Sequence, residues 1–279
     1  MPAEALQAAT RPVLGVYDSG AGGLSVLRHL RALRPDLPVL YMADTARVPY
    51  GDRSADEIRS FNREIAGALV ERGATHLVVA CNTSCALALP ELRETLPVPV
   101  TGLLETASRR ALEAGRDIGV LATVGTIRSD AYGAAIRQMD PTARVRGLAC
   151  TAWVPLVESG AVAGEPARRL VQEALSAWQD MPPLDAVILG CTHFPFLEDL
   201  IRGALPGNPR LVDPGPLVAA QFLAGVPGGA GQDGLLTVWS SGDTDEFLST
   251  VQRLVPELGL NEVLPWRLTA NASVSLRSS

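Results

Sequence analysis

The stretch THLVVACNTSCALALPEL, Thr75 to Leu92, decides the fold, because LDAVILGCTHFPFLEDL, Leu184 to Leu200, echoes it. Each holds a short apolar run, Leu77 to Ala80 or Ala186 to Leu189, that stops at a cysteine, Cys81 or Cys191. Runs of this length between small or turn-forming residues read as buried strands. The helices that follow are expected to begin near Pro90 and Pro195.

Working outward, two more landmarks recur in the same order. LGVYDSGAGGLSVL (Leu14 to Leu27) returns as IGVLATVGTIRSDAY (Ile118 to Tyr132), and DTARVPYG (Asp44 to Gly51) as CTAWVPLVESG (Cys150 to Gly160). Equivalent positions are offset by 104, 106 and 110 residues, a nearly constant spacing that marks an internal duplication. Each unit reads strand, turn, helix, strand, loop, helix, strand, turn, helix. Charged helix faces stand out at Asp56 to Arg72 and Glu165 to Gln179. Such alternation predicts parallel sheets covered by helices on both faces. The expected fold is therefore α/β, with two similar doubly wound parallel-sheet domains related by a pseudo-two-fold and the site between them. Residues 1–103 make the first domain, on the Cys81 side, and residues 104–212 the second, on the Cys191 side. The remainder, 213–279, holds DPGPLVAAQFLAGV, a Gly-rich loop from Pro227 to Gly234, one strand, and a helix from Thr244 to Leu258. It lies outside the repeat and is too small to fold alone, so it is assigned to the first domain. The polar end, Asn271 to Ser279, is expected to fray.

Composition narrows the function classes. A chain of 279 residues, 47% hydrophobic, can bury an ordinary core. No apolar run is long enough for a transmembrane helix, so no membrane association is expected. The opening residues carry Glu4 and lack a basic segment followed by an apolar one, which argues against a secretory leader. A net charge of −6 without a basic stripe argues against nucleic acid as a partner. Four cysteines in such a chain read as reduced thiols of a cytoplasmic protein. All 24 basic residues are arginines, and there is no lysine.

In open parallel sheets, ligands bind beyond the carboxyl ends of the strands. Cys81 and Cys191 both stand there, where helix amides favour a thiolate. Two such units facing each other would flank one ligand with two thiols. That arrangement suits a reaction that removes a proton from one face of a carbon and returns one to the other, which is racemisation. An ordinary thiol pKa of about 8.5 needs only modest lowering to give a base at neutral pH. Asp18 is placed to assist Cys81, and His193 to assist Cys191. Racemases that use pyridoxal phosphate hold it on a lysine, and this chain has none, so no cofactor is expected. No metal is expected either, because Cys81 and Cys85 lack a second ligand pair at metal-site spacing. Stabilising a carbanion then falls to donors around the substrate carboxylate: Asn82, Thr83, Thr192, Ser19 and the amides of DSGAGG. Without a P-loop lysine, DSGAGG is not read as a nucleotide site. Cys85 and Cys150 read as core residues, and His29 and His76 as surface or satisfied helix residues.

The segments DSGAGGLSVL, YMADTARVPYG, ACNTS, VPLVESG and LGCTHFP, in this order, resemble the glutamate racemase family within the wider aspartate/glutamate racemases. The resemblance implies a cofactor-independent, two-base interconversion of L- and D-glutamate that supplies peptidoglycan synthesis. It implies that Cys81 works on D-glutamate and Cys191 on L-glutamate, with Asp18 and His193 assisting and Glu158 as a carboxylate on the second side. It implies substrate contacts at Ser19, Pro49, Tyr50, Gly51, Asn82, Thr83, Thr123 and Thr192, and a possible homodimer. Departures are Ser84-Cys85 where Ala-Ser is usual, LATVGT at Leu121 and CTAW at Cys150; these leave the chemistry intact. Other readings stay open on the residues alone: a racemase of aspartate or another acidic amino acid, a thiol-dependent decarboxylase or isomerase, a cysteine-nucleophile hydrolase, or a non-catalytic binding or regulatory protein. The second cysteine and the complete DTARVPYG weigh against the other racemase, decarboxylase and isomerase readings, and the presence of both cysteines against the binding protein; a burst of covalent adduct on Cys81 or Cys191 with an ester or amide would favour the hydrolase.

Overall fold

The computed structural model describes residues 12–224, 226 and 234–267. The Gly-rich loop apart from Gly234, the polar end from Asn271 to Ser279, and the opening residues with Glu4 lie outside the described residues.

The first unit runs β1 (Leu14–Asp18), α1 (Leu24–Leu33), β2 (Val39–Ala43), α2 (Ala55–Glu71), β3 (His76–Val79), α3 (Asn82–Leu87), α4 (Leu89–Thr95), β4 (Val100–Thr101) and α5 (Leu104–Leu112). The second runs β5 (Asp117–Ala122), α6 (Val124–Ser129), α7 (Ala131–Met139), β6 (Arg144–Ala149), α8 (Trp153–Glu158), α9 (Gly164–Leu175), β7 (Ala186–Gly190), α10 (Glu198–Ala204), β8 (Arg210–Val212) and α11 (Pro214–Ala224). After these come β9 (Leu236–Ser240), α12 (Thr244–Leu254) and β10 (Leu264–Pro265).

Two parallel sheets result, ordered β10-β9-β2-β1-β3-β4 and β6-β5-β7-β8. Removing β9 and β10 leaves the same order twice, so the duplicated sequence folds into a duplicated topology. The central strands β1 and β7 are buried along their whole length, as parallel strands covered on both faces must be. β6 is an edge strand; Arg144 and Arg146 on it pair with Asp117 of β5 and blunt the edge with charge. Within each sheet the chain steps one way from the first strand to the second and the other way from the third to the fourth. The switch point therefore lies between β1 and β3, and between β5 and β7. Asp18 and Cys81 close the first pair of strands, and Thr123 and Cys191 the second.

Four local expectations need correction. Helix α3 begins at once after Cys81, which is its N-cap, and Pro90 opens the separate α4 instead. The helix expected through Gln179 ends at Leu175 and tightens into a 3₁₀ turn. The one expected to reach Leu258 stops at Leu254, because Pro256 cannot continue the helical hydrogen bonding. His76 sits on β3 rather than a helix, edge-on to Phe222. Helix α2 follows its expected span closely, fixed by a capping box in which Ser54 and Glu57 satisfy each other's backbone amides.

Candidate active site

On the first sheet, β1 delivers Asp18 fully buried into the turn that follows. Its carboxylate accepts from the Gly23 amide at 2.6 Å, which closes the turn, and from Ser19 Oγ at 3.4 Å. The Cys81 thiol lies 3.8 Å from the same Ser19 hydroxyl, so Asp18 reaches Cys81 through Ser19. Burial pushes the Cys81 thiol well up from its ordinary value; nearby Asp18 adds to this, while Ser84 pulls the other way. Burial also raises Asp18, with His193 opposing.

On the second sheet a relay forms behind the other thiol. Cys191 Sγ is 3.6 Å from His193 Nδ1, and His193 Nε2 is 2.6 Å from Glu158 Oε1. Burial alone would disfavour the imidazolium, yet the contacts with Cys191 and Glu158 hold His193 well above the usual histidine range. Glu158 is itself partly desolvated, but His193 and the Ala21 amide, which donates to Oε1 at 2.8 Å, keep its carboxyl below the usual range. Trp153 on α8 packs edge-on against Phe194, ring centroids 4.8 Å apart, and so ties the helix that carries Glu158 to the turn that carries His193.

The two halves interlock through small residues. A Cβ on Gly20 would fall 2.1 Å from Glu158 Oε1, and one on Gly22 would fall 2.4 Å from His193 Nδ1. The glycines of DSGAGG thus admit the second unit's acid/base group, not a phosphate. Thr83 Oγ1 meets Thr123 Oγ1 at 2.9 Å and Thr126 Oγ1 at 3.3 Å, and Thr192 Oγ1 lies 3.4 Å from Asp18. Gly51 packs against Thr123. Tyr50, its ring tilted against that of Phe61, donates its hydroxyl to Asp44, which also holds Arg47. Asn82 Oδ1 accepts from the Tyr132 hydroxyl at 2.6 Å, and its buried Nδ2 has no partner among the described residues.

A single narrow cleft gathers Ser19, Pro49, Tyr50, Gly51, both thiols, Asn82, Thr83, Thr123, Thr192 and His193. Asp18 and Glu158 stand behind that lining. Sequence reasoning missed Val154, which completes the wall, and Thr126 and Tyr132, which brace it. Val154 lay inside VPLVESG without any chemical signal of its own. Cys85 and Cys150 are buried free thiols; burial pushes Cys85 up to about 12 and Cys150 well up from its ordinary value. Among the described residues no group of three His, Cys, Asp or Glu side chains is placed to hold a metal ion, and no helix is long and apolar enough to cross a membrane.

The model of the Asp/Glu/Hydantoin racemase family matches residues 24–222. A glutamate racemase of Gloeobacter violaceus is 43% identical over 215 residues, 77% of this chain and 81% of that protein. The structure of glutamate racemase from Francisella tularensis in complex with D-glutamate has a TM-score of 0.85 at 26% identity, covering 94% of this chain and 99% of that one. The Escherichia coli glutamate racemase, solved with L-glutamate and the activator UDP-MurNAc-ala, has a TM-score of 0.75 at 31% identity, covering 92% and 98%. Fold, site and these likenesses together define the class as amino-acid racemases, isomerases that invert one carbon of a small molecule. Within that class the chain belongs to the glutamate racemases of the Asp/Glu/Hydantoin racemase family.

Proposed function

We propose that this enzyme interconverts L- and D-glutamate by a proton transfer between Cys191 and Cys81, without a cofactor, and that in a bacterial cytoplasm it supplies D-glutamate for peptidoglycan. The observation that carries this reading is one thiol at the switch point of each duplicated sheet, both lining one cleft. In the direction from L to D, a Cys191 thiolate held by the His193 imidazolium takes the Cα proton. The Cys81 thiol, kept protonated by burial and by Asp18, returns a proton to the opposite face. The product leaves Cys191 as a thiol and Cys81 as a thiolate, which is the state that D-glutamate requires. Ser19, Asn82, Thr83, Thr123 and Thr192 donate hydrogen bonds to the substrate, and those on its α-carboxylate lower the cost of the developing carbanion. Pro49, Tyr50 and Gly51 shape the wall. The first domain takes residues 1–103 with 213–279 and the second 104–212, so that α5 goes with the second, where it packs on α7, β7 and β8, and α11 with the first, where it packs on α1.

Polarimetry on the purified protein tests the assignment. L-Glutamate and D-glutamate should each decay to zero rotation while aspartate stays unchanged. Cys81→Ala and Cys191→Ala should each lower turnover by about a thousandfold or more, as expected when an acid/base group is lost. Full activity in a folded Cys191→Ala variant would remove the two-thiol assignment.

A further inference from the structure

Asn82 follows Cys81 directly and lines the cleft, but a side-chain amide has two nearly isosteric orientations that present opposite chemistry. Only one of them offers a carboxylate two N–H donors; the other faces it with a carbonyl oxygen. In the structure the Tyr132 hydroxyl donates to Asn82 Oδ1 at 2.6 Å, the orientation that turns the amide's NH₂ away from Tyr132. Both groups are 2% exposed, so water does not compete for the bond. Burial raises the Tyr132 phenol well above its ordinary range, which keeps it a donor. The same orientation leaves Asn82 Nδ2 buried and unpartnered among the described residues. An orphaned donor of this kind costs stability unless something else accepts from it. The ring of Tyr132 also borders a second cavity of about 130 Å³, beside Val120, Ile127 and Val145, so packing does not enclose it on every side. Tyr132 comes from α7 of the second unit and Asn82 from α3 of the first, so the bond forms only when the two halves are closed on each other.

We propose that Tyr132 is a positioning residue that fixes the Asn82 amide with its NH₂ turned toward a carboxylate of the substrate. This rests on the glutamate reading given above. Tyr132→Phe removes the hydroxyl and keeps the ring. It should raise KM for both glutamate enantiomers by about tenfold, the scale of one buried hydrogen bond, while kcat changes less than about threefold. In an Asn82→Ala background, adding Tyr132→Phe should change KM by less than about twofold, because the group it orients is gone. An unchanged KM in the single variant would overturn the proposal, as would KM effects that multiply in the double variant. A Tyr132→Phe protein too unstable to assay would make the hydroxyl a packing element and overturn it equally. If the unaltered protein were inert toward both glutamate enantiomers, the glutamate reading itself would fail, which is a distinguishable result.

Discussion

His193 shares its two ring nitrogens between a thiol and a carboxylate, so its charge is set by Cys191 on one side and Glu158 on the other. Its raised pKa contributes stability that is complete below the ordinary value of 6.5 and is lost as pH climbs through the folded value. The lowered Glu158 contributes stability present above 4.5 and lost as pH falls through its own folded value. Glu158→Gln removes part of what holds the imidazolium, so the alkaline limb of kcat/KM for L-glutamate should move to lower pH. A profile identical to the parent's would show that Glu158 does not tune His193. The chemistry-bearing residues were legible at this scale because cysteine, histidine and aspartate advertise themselves beside a strand end. Val154, Thr126 and Tyr132 were not. Their roles come from partners far along the chain, as with Tyr132 and Asn82, 50 residues apart.

Among the elements, the turn between β1 and α1 carries the strictest requirement. Its glycines are needed for close approach by the other unit. Gly22→Ala would set a methyl 2.4 Å from His193 Nδ1 and 2.5 Å from Thr192 Oγ1, and one of them must move. Misplacing an acid/base group by about an ångström costs on the order of a hundredfold in rate, so kcat should fall by about that much in a protein that still melts cooperatively. Parental kcat in Gly22→Ala would contradict the packing described. Strands and long helices were readable because each is fixed by its own residues: β7 by its apolar run, α2 by Ser54 and Glu57. The start of α3 was misplaced because Pro90 is a stronger local signal than Asn82, yet Cys81 already takes an extended N-cap conformation whose carbonyl accepts from the Cys85 amide. The short β10 had no pattern of its own; it exists by pairing with β9.

For the molecule as a whole, the repeat predicted two sheets of one topology, and the added β9 lies beside β2 on the first of them. Between the sheets the chain passes through Asp213, which caps Gly215 at 2.8 Å as the chain enters α11, the helix packed on α1. Burial raises this carboxyl from 3.8 to about 6, so the folded protein binds the extra proton more tightly and stability falls as pH rises across that interval. Asp213→Asn keeps the acceptor and removes the charge. Its stability relative to the parent should therefore increase between pH 4 and pH 7.5, by about 2 kcal/mol at most once residual solvent access is allowed for. Urea unfolding at the two pH values measures this, and a difference that does not change with pH would refute it.

Racemisation in deuterium oxide tests the two-thiol claim most directly. With L-glutamate supplied and the reaction stopped early, the D-glutamate formed should carry deuterium at Cα, while recovered L-glutamate should not; the mirror result should hold from D-glutamate. That outcome requires a different proton carrier on each face of the carbon. Deuterium entering recovered substrate as fast as product would mean that one group serves both faces, and would contradict the opposed roles of Cys81 and Cys191.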